Sequence, residues 1–333
     1  MTTYHTPVLV REAIELLMIQ PGDNCIDCTI GGGGHTRALL KASAPKGKAL
    51  GIDIDRDALE ESRIQLQDFI HKGRLILAQG NFSNIITIAK ENNFQSVKGI
   101  LIDLGISSHQ IDSDWRGFSF QKDGPLQMTF SSQGGDAKDH RVNAWHIVNT
   151  YPKQKLKQIF KEYGEVINAG LYADRIILLR KGSSIDTTAM LVRAILGPGA
   201  DKLRGENARS FSKPKIKLLA KIFQAIRIAV NSELDNLQNI LSSAGDILAP
   251  KGRIAVISYH SLEDRIVKRF LKEESKECVC PPELPVCVCR HKPKFLQITK
   301  RPIMPSEEEV IRNPRSRSAK LRVGEKIFYE INH

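Results

Sequence analysis

Between residues 24 and 104 the chain repeats one pattern: a short run of apolar residues, then a stretch with apolar side chains at helical spacing. The apolar runs cover 24–30, 48–54, 74–79 and 98–104, and the helical stretches cover 35–44, 56–70 and 83–93. Strands apolar on both faces need cover on both sides, and parallel neighbours need long crossovers, which the helices supply. Right-handed crossovers then predict an α/β fold, a doubly wound, mostly parallel sheet. A helix over 8–18 precedes it and ends at Pro21-Gly22-Asp23.

After Gly105 the pattern gives way to "ISSHQIDSDWRGFSFQKDGPLQMTFSSQGGDAKDH", a polar, glycine-rich segment too long for an ordinary connection. Residues 143–217 read as short helices with basic faces, linked by "GPGADKLRGENARSFSKPK". Residues 113–217 are therefore expected to form an inserted all-helical domain, with 1–112 and 218–333 forming the sheet domain. The pattern resumes with a helix over 218–248, a strand over 252–259, a helix over 261–271 capped by Ser261, and a final strand in "SAKLRVGEKIFYEIN".

The formal charge of +12 is uneven: −2 for residues 1–112, +8 for 113–217 and +6 for 218–333. A polyanion, most simply nucleic acid, is expected to meet the middle and C-terminal parts. No apolar run is long enough for a membrane span and no signal peptide opens the chain, so a cytoplasmic protein is predicted. In such a reducing compartment the six cysteines do not suggest a disulfide framework. Cys278, Cys280, Cys287 and Cys289 form C-x-C-x₆-C-x-C, which could ligate a metal, although its arms are tighter than the usual C-x₂₋₄-C. That question stays open, and no metal is assigned to the predicted site.

Gly31 to Gly34 lie between the first strand and its helix, where backbone N–H groups can approach a ligand without Cβ interference. A dinucleotide asks for G-x-G-x-x-G, but Gly31-x-Gly33-x-x puts Thr36 in the third glycine's place. Asp53, 20 residues beyond Gly33, suits a ribose diol, which NAD and S-adenosylmethionine share. Phe82 in "GNFSN" can cover an adenine face, and Asp103 in "DLGISS" adds a second carboxylate over the cleft. Together these favour S-adenosylmethionine. His35 either hydrogen-bonds the methionine part of that cofactor or caps its own helix.

"HTPVLVREAIELL", "CTIGGGGHT", "GIDIDRDAL", "GNFSN", "DLGISSHQID", "RGFSFQKDGPL", "FQAIRIAVNSEL", "SYHSLEDRIVKRF" and "NPRSRSAKLRV" resemble, in order and over nearly the whole chain, the bacterial small-subunit rRNA (cytosine-N4) methyltransferase family. The resemblance implies a class I, Rossmann-like methyltransferase domain with an inserted helical domain. It implies S-adenosylmethionine as donor and a cytidine of the decoding region of small-subunit rRNA as acceptor. It also implies cofactor roles for Gly33, Gly34, His35, Asp53, Phe82, Asp103 and Gln110. The N4 lone pair of cytosine is delocalised into its ring, so a group accepting an N4–H bond favours the nucleophilic amine, and Asp103 is the first candidate. The Asp/Asn/Ser-Pro-Pro-aromatic signature of many DNA amino-methyltransferases is replaced here by Asp-Leu-Gly-Ile-Ser-Ser.

The loop "WRGFSFQKDGPL" offers Phe118 and Phe120 to stack on an extruded base and Arg116 and Lys122 for phosphates, with Asp123 beside them. The alternative is a connector whose aromatics are tucked into a core. Ser258 and His260, in "SYHSLEDR" where the family has Ser-Phe-His-Ser, are further candidates to face the cleft. Arg312, Arg315, Arg317, Lys320 and Arg322 form a strip suited to RNA phosphates. The chain departs from the family at Gln127, Thr129 and Phe130 in place of an Asp-Met-Arg-Met run, at "KLLAKI" (217–222), and at Val166. Those departures keep a second class open, a non-catalytic or retargeted RNA-binding ribosome-assembly factor. An NAD-dependent oxidoreductase is disfavoured by Thr36 and by the lack of an identifiable hydride-transfer acid.

Overall fold

The structure, a computed structural model, describes residues 7–131, 142–198, 200, 212–281 and 286–329. Residues 132–141 of the expected long loop, and 199 and 201–211 of the expected linker, lie outside the described residues. The chain forms two compact units, Met1–Gly105 with Leu234–His333, and Ile106–Glu233.

The first unit is built on β1 (Asn24–Asp27), β2 (Ala49–Asp53), β3 (Leu75–Gln79), β4 (Val97–Asp103), β5 (Leu248–Ser258), β6 (Phe295–Gln297) and β7 (Lys320–Lys326). They form one sheet in the order β3-β2-β1-β4-β5-β7-β6. β1 to β5 pair in parallel, while β7 is antiparallel to both β5 and β6. This is the doubly wound, mostly parallel α/β sheet that the strand and helix alternation predicts. The strand order reverses beside β1, and ligands of open α/β sheets bind at such a point, outside the carboxyl ends of the strands.

Alternate residues of one strand enter different cores, which explains the runs without polar gaps. Ile100 and Ile102 of β4 pack with Ile26, Leu50, Ile52 and Val256 and with Leu237, Ile240 and Leu241 of the helix Glu233–Ile247. Leu101 between them joins Ala255, Ile257, Leu321 and the helix Val10–Leu17 on the opposite side. β6 was not expected; it is three residues long with only Phe295 buried, too little for a periodic signal.

The second unit holds the helices Ala144–Thr150, Lys153–Glu162, Ala169–Arg180, Thr188–Leu196 and Lys213–Asn231. They surround Ile147, Leu156, Phe160, Ile176, Leu191 and Ile222. Its limits lie outside the expected 113–217 at both ends. Ile106 packs against this core, and so does the face of Lys213–Asn231 that carries Leu219, Ile222, Phe223 and Ile226. The single helix expected over 218–248 is two, interrupted at Ser232, whose φ of 49° is left-handed. No helix among the described residues is long and apolar enough to cross a membrane.

Candidate functional site

At the carboxyl end of β1 the backbone turns sharply through Gly31 and Gly33, at φ of 50° and 77°, into the helix Gly34–Ala42. L side chains disfavour both conformations. A Cβ on Gly33 would also lie 2.7 Å from Leu66 Cδ1, so the turn is closed to larger residues. Two polar contacts, one buried and one part-buried, hold it in place. Asp27, the last residue of β1, accepts a 2.6 Å hydrogen bond from the Thr36 hydroxyl, and Ser62 donates to the Gly31 carbonyl at 2.7 Å. Burial raises the Asp27 carboxyl above its ordinary range.

Asp53 ends β2 beside this turn, accepting from the Gly31 amide at 3.0 Å and the Asp55 amide at 2.9 Å. Burial pushes its carboxyl up to about 7 against the lowering effect of those amides. Asp103 ends β4; its amide donates to Thr29 Oγ1 at 2.7 Å, and its Oδ1 accepts from the Tyr259 hydroxyl at 2.9 Å. Burial and the Asp103 charge hold the Tyr259 phenol well above its usual value, so it remains a donor.

His35, in the first turn of the helix, places Nε2 2.9 Å from the Val8 carbonyl and Nδ1 3.8 Å from Asp103 Oδ2. A carbonyl only accepts, so Nε2 carries a proton and Nδ1 faces the Asp103 carboxylate. With Nδ1 unprotonated, a donor such as an ammonium can bridge Nδ1 and Asp103 Oδ2. Phe82, after β3, is half-buried against the sheet core. Gly31, Gly33, Gly34, His35, Asp53, Phe82 and Asp103 all lie in the first unit, on the glycine turn or just past the carboxyl ends of β2, β3 and β4.

The remaining sequence candidates belong to the second unit or to the C-terminal part of the first. Gln110 belongs to the second unit, where it is buried and closes a capping box with Ser107. Arg116 was expected at phosphates but is 1% exposed, donating to the Phe130 carbonyl and lying 4.7 Å from the Trp115 ring centroid. Phe118 is buried and stacked on Phe130, and Phe120 is half-buried with its edge to Phe223. These rings pack the helical core in the described conformation, in agreement with the connector alternative. Lys122 pairs with Asp114 at 2.9 Å, and Asp123 accepts from the amides of Gly124 and Ala189 at the start of a helix.

Ser258 was expected at the cleft but is buried, with its hydroxyl 3.4 Å from the Lys320 carbonyl of β7. His260, and not Ser261, caps the helix Ser261–Glu274 in a reciprocal box with Glu263. Arg315 and Arg317 are exposed in the turn Pro314–Ser318, whereas Arg322 and Lys320 of the same strip bind Asp264 at 2.6 and 3.4 Å.

The sequence reading gave no role to Tyr259 or to the Asp27–Thr36 pair. Each had a signal: Tyr259 stands where the resembled family has phenylalanine, and Thr36 stands where a dinucleotide loop needs glycine. The pattern of the MraW methylase family matches residues 2–327. A Thermomicrobium roseum protein named Ribosomal RNA small subunit methyltransferase H is 42% identical over 99% of this chain and 96% of its own length. A Syntrophotalea carbinolica protein of the same name is 43% identical, covering 96% of each.

Proposed function

Because the chain belongs to the MraW methylase family, we propose that it methylates the exocyclic N4 of a cytidine in the decoding region of small-subunit rRNA. It is an S-adenosylmethionine-dependent methyltransferase, working in the cytoplasm on ribosomal RNA or on the small subunit that contains it. The observation that carries the cofactor assignment is the pair of carboxylates, Asp53 and Asp103, at the strand ends around the glycine turn. The Asp103 carboxylate attracts the sulfonium and ammonium of S-adenosylmethionine and repels the diphosphate of NAD, while Asp53 takes the ribose diol that both cofactors carry.

The residues fit that cofactor individually. Asp53 can accept from the ribose hydroxyls while keeping the Gly31 amide. His35 Nδ1 and Asp103 Oδ2 can share the donors of the amino group. Phe82 can cover the adenine. Thr36, bonded to Asp27, stands where a dinucleotide loop has the third glycine that lets its helix pack closely on the strand. The role of Gln110 as a further cofactor contact rests on the resemblance.

S-adenosylmethionine supplies an electrophilic methyl on a sulfonium, and transfer to N4 forms one N–C bond as the S–C bond breaks. The protein's task is to make the amine nucleophilic and aligned. Asp103, held by the Tyr259 hydroxyl and by its amide to Thr29, accepts an N4–H bond, drawing the lone pair out of ring conjugation, and then takes the proton the methylated nitrogen sheds. Its oxygens offer about four lone-pair sites, enough for Tyr259, a cofactor donor and the target amine. Exposed Arg315 and Arg317 serve as phosphate contacts.

The departures from the family at 127 and 130 are built into the helical unit: Phe130 stacks on Phe118, and Gln127 accepts from Asn143 at 3.2 Å. The relatives named Ribosomal RNA small subunit methyltransferase H favour the enzyme over a non-catalytic assembly factor. Labelled methyl transfer to small subunits lacking the modification, followed by nuclease digestion and nucleoside mass spectrometry, tests the proposal. N4-methylcytidine is expected; no incorporation by protein that binds the cofactor would favour the assembly factor.

A further inference from the structure

The loop between the helix Ser261–Glu274 and β6 carries four of the six cysteines and plays no part in the cleft chemistry. We propose that Cys278, Cys280, Cys287 and Cys289 form a tetrathiolate site for one zinc ion. Their sulfurs all lie within 4.8 Å of one another. Cys278 to Cys287 is 3.4 Å, Cys287 to Cys289 is 3.5 Å and Cys289 to Cys278 is 3.8 Å. A tetrahedron with metal–sulfur bonds of about 2.3 Å has edges of about 3.8 Å. A disulfide closes to about 2.05 Å, so the four sulfurs are arranged around a point and not joined in pairs.

The local backbone overcomes the tight C-x-C spacing. The Cys280 amide donates to Cys278 Sγ, the Val288 amide to Cys280 Sγ and the His291 amide to Cys289 Sγ, each at 3.4 Å. Such bonds turn each arm so that both of its sulfurs face one side, and they stabilise thiolate charge as outer-shell partners of a metal site do. Arg290 and Lys292 flank the cysteines and offset part of the negative charge of a zinc tetrathiolate, while Lys276 and Lys294 pair with Glu273 and Glu274.

Hydrophobic burial does not account for the cluster. Val279, Val286 and Val288, which alternate with the cysteines, are 53, 70 and 70% exposed. A loop closed by apolar packing would turn its valines inward; here the valines face water and the loop converges instead on its sulfurs, although Cys278 and Cys287 are themselves exposed. A cation cross-linking the two arms supplies the missing cohesion, and it explains why cysteine, not serine or alanine, stands at all four positions.

The test uses full-length protein purified without chelators. Elemental analysis is expected to give one zinc per chain, and removal of the zinc followed by added cobalt(II) is expected to produce the intense visible bands of tetrahedral cobalt tetrathiolate. Cys287→Ser with Cys289→Ser should abolish both while leaving S-adenosylmethionine binding intact. The cobalt spectrum of the unaltered protein decides the matter if that variant fails to fold. Absence of zinc with no tetrahedral cobalt spectrum, cysteines isolated as disulfides, or iron bound in place of zinc would overturn the proposal.

Discussion

Asp53 ties the glycine turn to the end of β2, and its carboxyl is also the proposed ribose ligand. Its pKa of about 7 lies above the unfolded value of about 3.9, so the folded chain holds this proton more tightly. Its contribution to ligand-free stability is therefore largest at low pH and is lost as pH rises through about 7. Ribose hydroxyls donate to the ionised form, so S-adenosylmethionine affinity should increase between about pH 6 and about pH 8, as titration calorimetry can measure. Asp53→Asn should flatten that increase; an unchanged pH profile would remove Asp53 from the site. Tyr259→Phe removes a hydroxyl bound to Asp103 without changing ring shape, and should cost about 1–3 kcal/mol in denaturant unfolding. The positions of Asp53 and Asp103 at the ends of β2 and β4 were legible because a carboxylate ending a parallel strand can be read from strand pattern alone. The burial of Arg116 and Phe118 was not, because a loop mixing aromatic and basic residues gives no period from which burial can be read.

At the scale of elements, the turn from β1 into the helix Gly34–Ala42 joins the fold to the site. Gly33→Ala meets both a φ of 77° and Leu66, so a loss of about 2 kcal/mol in stability is expected, with weakened cofactor binding in the same preparation. Thr36→Val leaves buried Asp27 without its 2.6 Å donor and should cost about 1–3 kcal/mol. Phe130→Met, which restores the residue of the resembled family, should cost less than about 1.5 kcal/mol if its stacking on Phe118 is a local repacking. The four strands up to residue 104 were legible because each is apolar on both faces. The break at Ser232 was not, since helical apolar spacing runs on through it and only the choice of core separates Lys213–Asn231 from Glu233–Ile247.

On the scale of the whole molecule, the charge is segregated, with the excess of Lys and Arg lying beyond residue 112. Substrate binding should therefore weaken steeply with salt. Replacing both Arg315 and Arg317 with alanine should reduce the log–log salt slope by about 2 if each touches one phosphate, and an unchanged slope would place the RNA elsewhere. Neither the two-unit division nor the cofactor site depends on that outcome. The cleft is probed by calorimetric titration of the protein and of Asp53→Ala with S-adenosylmethionine and with NAD. S-adenosylmethionine should bind the unaltered protein and NAD should not, and Asp53→Ala should lose at least about tenfold in affinity, equivalent to about 1.4 kcal/mol. Preferential binding of NAD, or equal S-adenosylmethionine affinity in the two proteins, would contradict this reading of the cleft.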